Sequence, residues 1–580
     1  MSRSSRRARP EPAAPPSSAP HSGRLSRLAA AIAASPARQH LLFLAATVVT
    51  VLFVGYHFGT FDQTIHIPFL KKYVDPSLYP GDPFLELRLQ HYSYFWFLFR
   101  PFYRAGVLEI TLFIAHCAAT YGTFWAVYGL SRTLFRNDLA ALLTVAGFVF
   151  PHIGFAGFPV IEFSLLNRTA VLPFLLVGLN LYLQRRIVPA YALVGVMYNF
   201  HVISAQFVVA MFLFDGVLQL RRVGVWRLAL GVAVFVVAAL PVLIWKLGGS
   251  PVDLTPRPEW FTIIARGNLY NLFYLLPPYP HILLVTASGF AALFLFGIAR
   301  RFPRAEPSDR TVTNFIGAAL IILVVQVITA QWLPITIIVQ SQIIRAGLFV
   351  LIFGYIYFAA YLADQYARGR WAPLEWGALA VAYIGVAMPI APLVVWLVVR
   401  LVRAQWWRRA LLGLTLAGSF AGMFGVALFY DVWEPGIHLA GPRTDWEAAQ
   451  FWARDNTPRE ALFITPPQIW WLYQSDWRVF SERSTVATLS ELLEAAFAPE
   501  YLDYWRPRFE ALAPGALEQF RGDYFANKRI TAAAFYGLTT ADFERLAGQY
   551  GADYLVVEKS HTYDLPVAYE NAGYTIYVLP

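Results

Sequence analysis

The chain has 580 residues and a formal net charge of +10; 57% of it is hydrophobic, 16% aromatic and only 14% charged. Soluble domains carry about 25% charged residues, and the mean hydropathy here is +0.49. Composition therefore excludes a soluble globular protein and implies a polytopic membrane protein. The basic balance does not point to nucleic acid, because the arginines cluster in short loops between apolar runs, as cytoplasmic loops do. The single cysteine, Cys117, lies in an apolar run, excludes an intrachain disulfide and reads as a small buried residue.

Residues 1–38 are rich in Arg, Ser, Pro and Ala with one acid, Glu11, and predict a disordered basic cytoplasmic tail. A membrane domain over 39–430 follows. Apolar runs predict spans near 39–58, 107–130, 139–157, 169–184, 187–202, 203–220, 225–246, 281–299, 312–331, 343–363 and 409–430. With the N-terminus inside, the clusters Arg132/Arg136, Arg185/Arg186, Arg221–Arg227, Arg300–Arg310 and Arg368/Arg370 all fall on the cytoplasmic side. The segment 373–402 breaks this alternation if it crosses once. Met388-Pro389-Ile390-Ala391-Pro392 at its centre predicts two short helices or a re-entrant hairpin, which makes the total odd, about 11–13 spans, and sets the C-terminus outside.

The first outer loop, 59–106, is rich in aromatics and Leu yet carries Lys71, Lys72, Glu86 and Arg88. It predicts short amphipathic helices lying in the membrane interface. After Tyr430 the composition turns soluble, and 431–580 reads as an extracytoplasmic α/β domain of a size that has its own core. Thr444-Asp445-Trp446-Glu447 is a capping box and Thr488 starts another helix; 461–465, 554–558 and 574–578 read as strands.

Phosphate-binding Gly-rich loops, HExxH, paired CxxC and GxSxG motifs are all missing from the sequence, and no metal-ligand spacing stands out. The candidate residues sit at the outer membrane face. Asp62, just beyond the first span, is either a site carboxylate or a helix cap. Glu162 lies in the next outer loop and is either a second site carboxylate or the ion-pair partner of Arg168. Arg168 and Arg345 open outer span ends, where a lipid phosphate is a natural partner for a guanidinium fork; snorkelling or a protein ion pair is the competing role. His201 falls where two short helices meet, and Arg266 and His281 are weaker candidates of the same kind.

An acidic residue outside the first span, a long aromatic first outer loop, a second acid in the next outer loop and a soluble outer domain together resemble the GT-C superfamily of integral membrane glycosyltransferases. Asp62-Gln63 with Asp75-Pro76-Ser77-Leu78-Tyr79-Pro80-Gly81-Asp82-Pro83-Phe84, then Arg478–Arg483 and Tyr504-Trp505-Arg506, resemble an uncharacterised bacterial group within it. The resemblance implies transfer of a sugar from a polyprenyl-phosphate donor to an envelope acceptor (saccharide, lipid or protein) at the outer face of a bacterial inner membrane. It implies Asp62 as general base and Glu162 as the residue that orients the acceptor or holds a divalent ion. Arg345, Arg168 and His201 would meet the donor phosphate. Trp470-Trp471-Leu472 departs from the motif of metal-using oligosaccharyltransferases, which favours an inverting reaction with no metal or other cofactor, although a divalent cation stays open. A secondary transporter or a non-catalytic envelope-assembly protein are the rival readings; the broken segment 373–402 fits the transporter, the outer loop and domain do not.

Overall fold

The computed structural model describes residues 23–249, 252–267, 280–300, 307–439, 441–469 and 472–580. Most of the predicted tail, Trp470 and Trp471, and the His281 side chain lie outside them. The protein is an all-α polytopic bundle followed by a C-terminal α/β domain. Among the described residues seven helices are long and apolar enough to cross a membrane. They include Pro36–Val54, Leu108–Phe135, Val225–Gly248 and Gln405–Phe429.

Several expected spans are shorter than their apolar runs. The run 139–157 is helical only over Asp138–Gly147, and the chain then continues irregularly to Asn167. The runs at 187–220 form Ile187–Tyr198 and Val202–Leu218, broken at 199–201. The break has a partner. Asn199 Nδ2 donates to Ala238 O (2.8 Å) and Asn199 Oδ1 accepts from Val242 N (3.0 Å), so its amide fills the gap beside Pro241 in the neighbouring helix. Proline is tolerated in a crossing helix when a neighbour satisfies the freed backbone in this way. The predicted disordered tail also ends early: Arg24–Ala33 is a helix, and Leu25 N donates to Tyr366 Oη.

Residues 373–402 form two helices, Pro373–Gly385 and Ile390–Leu401. The tip between them meets the loop at 151–153, where Ile153 N donates to Ala387 O (2.9 Å). Glu375, at the start of the first helix, pairs with Arg408, just past the end of the second. The chain therefore enters and leaves this segment at one end of the bundle.

The first outer loop differs from the expected interfacial platform. Its main helix, Gln63–Val74, is buried at every position from Gln63 to Lys72, because the C-terminal domain covers it. Lys71 Nζ reaches Glu482 (2.7 Å), Tyr79 Oη donates to Arg478 O (2.8 Å), and Arg478 Nε meets Asp82 at 2.7 Å. The domain carries a five-stranded sheet in the order Ser484–Thr485, Leu462–Ile464, Tyr554–Glu558, Tyr574–Val578, Val567–Glu570. The first three strands are parallel and the last two antiparallel. Part of its core, including Leu492 and Trp505, is continuous with the core of the helical bundle. The helix Pro258–Gly267, between the expected spans 225–246 and 281–299, packs there, with Trp260 Nε1 donating to Ala495 O.

Candidate active site

A cavity of about 1200 Å³ opens where the first outer loop, the helical bundle and the C-terminal domain meet. Asp62, Glu162, Arg168, His201 and Arg345 all line it. The loop that presents Asp62 is tightly held. Gly59 has φ +79°, and a Cβ there would sit 2.9 Å from the Phe480 ring, so glycine is required twice over. Gln63 Oε1 accepts from Gly59 N and Gln63 Nε2 donates to Leu165 O (both 2.9 Å), which fastens this loop to the segment carrying Glu162. Phe61, next to Asp62, adopts φ +52°, a strained conformation for an aromatic residue.

Asp62 occupies the N-cap position of Gln63–Val74 but makes no cap hydrogen bond. Its Oδ2 instead accepts from Arg168 Nη1 at 2.5 Å. Arg168 also holds Glu162 bidentately, through Nε (2.8 Å) and Nη2 (2.6 Å), and Thr169 Oγ1 donates to the same carboxylate. One guanidinium thus bridges two carboxylates, and all three side chains are largely buried. Among the described residues the second oxygen of Asp62, Oδ1, accepts no hydrogen bond.

Arg345 differs from Arg168. Among the described residues it forms no ion pair, and its Nε is buried with no hydrogen-bond partner. Its guanidinium lies 5.4 Å from the Phe158 ring centroid, and that of Arg168 lies 5.3 Å from the same ring. Gln342, three residues earlier, has φ +43° and a buried Oε1 that is also unpartnered. His201 caps Val202–Leu218, its Nδ1 accepting from Ser204 N and meeting Ser204 Oγ at 2.8 Å. Arg266 does not line the cavity; its carbonyl binds Gly522 N and Asn527.

Four lining residues escaped the sequence reading. Lys246 sits 4.5 Å from the Tyr92 ring centroid near the end of an apolar helix. A lysine in that position is a detectable signal. His66, His91 and Glu494 form a row: the two imidazole centroids are 4.8 Å apart and His91 Nδ1 is 3.8 Å from Glu494. His66 stacks on Trp96, and its Nδ1 is buried without a partner. Burial, and then the nearby charges of His91, Arg168 and His201, push the His66 imidazole well below its usual range. Glu494 belongs to the C-terminal domain, more than 400 positions from His66, and no local pattern links them.

Much of the remaining wall is apolar. This part comes from the hairpin tip Val386–Ala391, from Leu414 to Ala427 on one helix, and from Val242 and Leu243 on another. The cavity therefore joins a charged head to an apolar flank.

Residues 444–512 match a family described as a domain of unknown function, DUF6798. No curated protein matches the chain. Among solved structures, the crystal structure of ArnT from Cupriavidus metallidurans bound to undecaprenyl phosphate is similar over 94% of this chain and 98% of that one, with 14% identity and a TM-score of 0.46.

Proposed function

We propose that the protein is a membrane glycosyltransferase of the GT-C type, moving a sugar from a polyprenyl-phosphate donor to an envelope acceptor. The observation that carries this reading is one cavity holding Asp62 Oδ1 and Arg345 Nε, each without an ion-pair or hydrogen-bond partner among the described residues, beside a long apolar flank. Its volume of about 1200 Å³ exceeds the roughly 300–1,000 Å³ of small-molecule sites. In this reading Asp62 Oδ1 takes the proton from the acceptor hydroxyl, whose oxygen attacks the anomeric carbon. The bond from that carbon to the phosphate oxygen breaks, and polyprenyl phosphate leaves with the electron pair. Arg345, which forms no ion pair among the described residues, stabilises the charge that develops there. Lys246 is a second cation for the same phosphate.

Arg168 acts differently from Arg345 in this scheme. Its fork is committed to Asp62 and Glu162 and orients the base rather than the donor. The guanidinium also fills the space between the two carboxylates, which favours a reaction without a divalent ion at that point. The tip of the broken segment, with Val386, Ala387 and Met388, faces the same cavity and is the feature that favours a transporter.

Mass spectrometry of lipids that co-purify with the wild type and with Arg345→Ala tests the proposal. The expected result is polyprenyl phosphate, with or without a sugar, bound to the wild type and lost from the variant. Ordinary phospholipids alone, unchanged by the substitution, would remove Arg345 from the site and leave the transporter or an assembly role.

A further inference from the structure

A second polar cluster lies where the first membrane helix ends, apart from the cavity head. Tyr56-His57 pairs in parallel with Ile437-His438, on the stretch that leads from the last membrane helix into the C-terminal domain. The register places His57 opposite His438, with ring centroids 4.8 Å apart. Glu434, one helical turn's spacing before His438, closes the group, with Oε1 4.0 Å from His438 Nε2. One donor atom from each of the three residues lies within 4.8 Å of the others. The backbone is pressed together to achieve this. Gly55 has φ +85°, and a Cβ there would meet the Glu434 carbonyl at 2.4 Å.

The orientation of His57 is informative. Its Nε2 lies 2.8 Å from the main-chain oxygen of Glu434, so the Nε2–H donates there and Nδ1 keeps its lone pair. A backbone carbonyl holding the far nitrogen is how ligating histidines are usually set. That lone pair points at Arg443 Nη1 (2.8 Å), and the same Nη1 lies 2.7 Å from Glu434 Oε1. The Arg443 guanidinium thus occupies the space between two of the three donors, and its Nη2 also donates to Tyr473 O (2.5 Å), so an ion there has to displace it. Arg443 has another place to go, since its Nε is 3.9 Å from Glu447, a carboxylate that burial pushes up and that gains from a closer cation.

We propose that His57, Glu434 and His438 form a zinc site joining the first membrane helix to the C-terminal domain, with the Arg443 guanidinium moving towards Glu447 when the ion binds. Two imidazoles and a carboxylate match zinc's preferred donors, and the half-exposed side chains of His438 and Glu434 leave the fourth position to water. The donors must close from 4.0–4.8 Å to the about 3.3 Å separating tetrahedral ligands around zinc. Displacement of Arg443 permits that contraction. His57 lies five residues before Asp62, so the ion would brace the loop that presents the cavity's carboxylate. The inference does not depend on the reaction proposed above.

The test uses the full chain in detergent, stripped with a chelator and titrated with Zn²⁺ or Co²⁺ alone. Metal content and the Co²⁺ visible absorption are the readouts. A single ion per chain is expected, with tetrahedral Co²⁺ bands and a raised thermal midpoint. His438→Ala and Glu434→Gln, both at partly exposed positions, should keep the fold and lose the ion. Arg443→Gln removes the competing cation and should bind roughly tenfold tighter, the scale of second-shell effects. No stoichiometric ion in either the wild type or Arg443→Gln would overturn the proposal, and so would binding unchanged by His438→Ala, which would mark adventitious metal.

Discussion

At the scale of single residues, Arg168 decides how the two candidate carboxylates behave. Replacing it with Ala leaves Asp62 and Glu162 facing each other, largely buried and with no guanidinium between them. Breaking a buried ion pair from one side costs about 3–5 kcal/mol, so Arg168→Ala should lower the thermal midpoint in detergent sharply. Asp62→Asn keeps an oxygen for Arg168 Nη1 and leaves the bidentate Glu162 contact in place. It should melt close to the wild type while transfer to the acceptor is abolished. Equal destabilisation by both substitutions would make Asp62 a structural partner and not a base. Of the candidate side chains, Asp62, Glu162, Arg168, His201 and Arg345 line one cavity and Arg266 does not; charges at the ends of apolar runs are costly and therefore visible. The sequence left open whether Arg168 faces a lipid or a carboxylate, since that depends on how the 162–168 segment folds back on Asp62.

At the scale of elements, the loop at 59–106 and the C-terminal domain are joined through Arg478. This residue is buried, as are its partners Asp82 (2.7 Å), Glu491 (3.0 Å) and Asp476 (3.6 Å). Three carboxylates surround one cation. Burial, reinforced by the charges of Asp82 and Asp476 and opposed by Arg478 and the hydroxyl of Tyr501, pushes Glu491 up to about 7. A carboxyl whose pKa is higher folded than unfolded holds its proton longer in the fold, so its contribution is fully present in acid. That contribution is lost as pH rises from the ordinary carboxylate range through about 7. Chemical denaturation of the wild type should therefore show stability falling between about pH 4.5 and 7. Glu491→Gln, which keeps the acceptor for Arg478 and Thr488, should flatten that fall. An unchanged slope would place the titration elsewhere. The sequence contained both halves of this joint, Asp75 to Phe84 and Arg478 to Arg483, as separate stretches. Their pairing was invisible because nearly 400 residues separate them, and for the same reason the loop read as an interfacial platform and not as a buried one. The capping motifs show the same limit. Thr488 and Glu491 form the full reciprocal box, whereas Glu447 gives its carboxylate to Arg443 N and leaves the Thr444 box half made.

At the scale of the whole molecule, the bundle has two unlike ends. The helix Arg24–Ala33 lies against Tyr366, and Glu375 pairs with Arg408, at the end away from the C-terminal domain. The strand pair Tyr56-His57 with Ile437-His438 and the cavity mouth mark the other end. Apolar runs made the rough positions of the helices legible, since hydrocarbon thickness sets their length, but not their number: about 11–13 spans were expected, and seven helices among the described residues are long and apolar enough to cross. The Met388–Pro392 break marked 373–402 as two short helices or a hairpin, and two helices are found; whether the segment crosses or returns was not legible, because proline in an apolar run allows a kinked crossing as readily as a return. The hairpin resolves the charge rule: Arg400, Arg403, Arg408 and Arg409 come to lie with the N-terminal helix, where the other arginine clusters are expected. This can be tested on intact cells with Cys117 replaced by Ser and one new cysteine at a time. An impermeant maleimide should label Thr562→Cys in the C-terminal domain, and should reach Ala34→Cys and Ala404→Cys only after permeabilisation. Labelling of Ala404→Cys from outside would mean that 373–402 crosses once. The arginines after it would then break the charge rule, and the Glu375–Arg408 pair could not form.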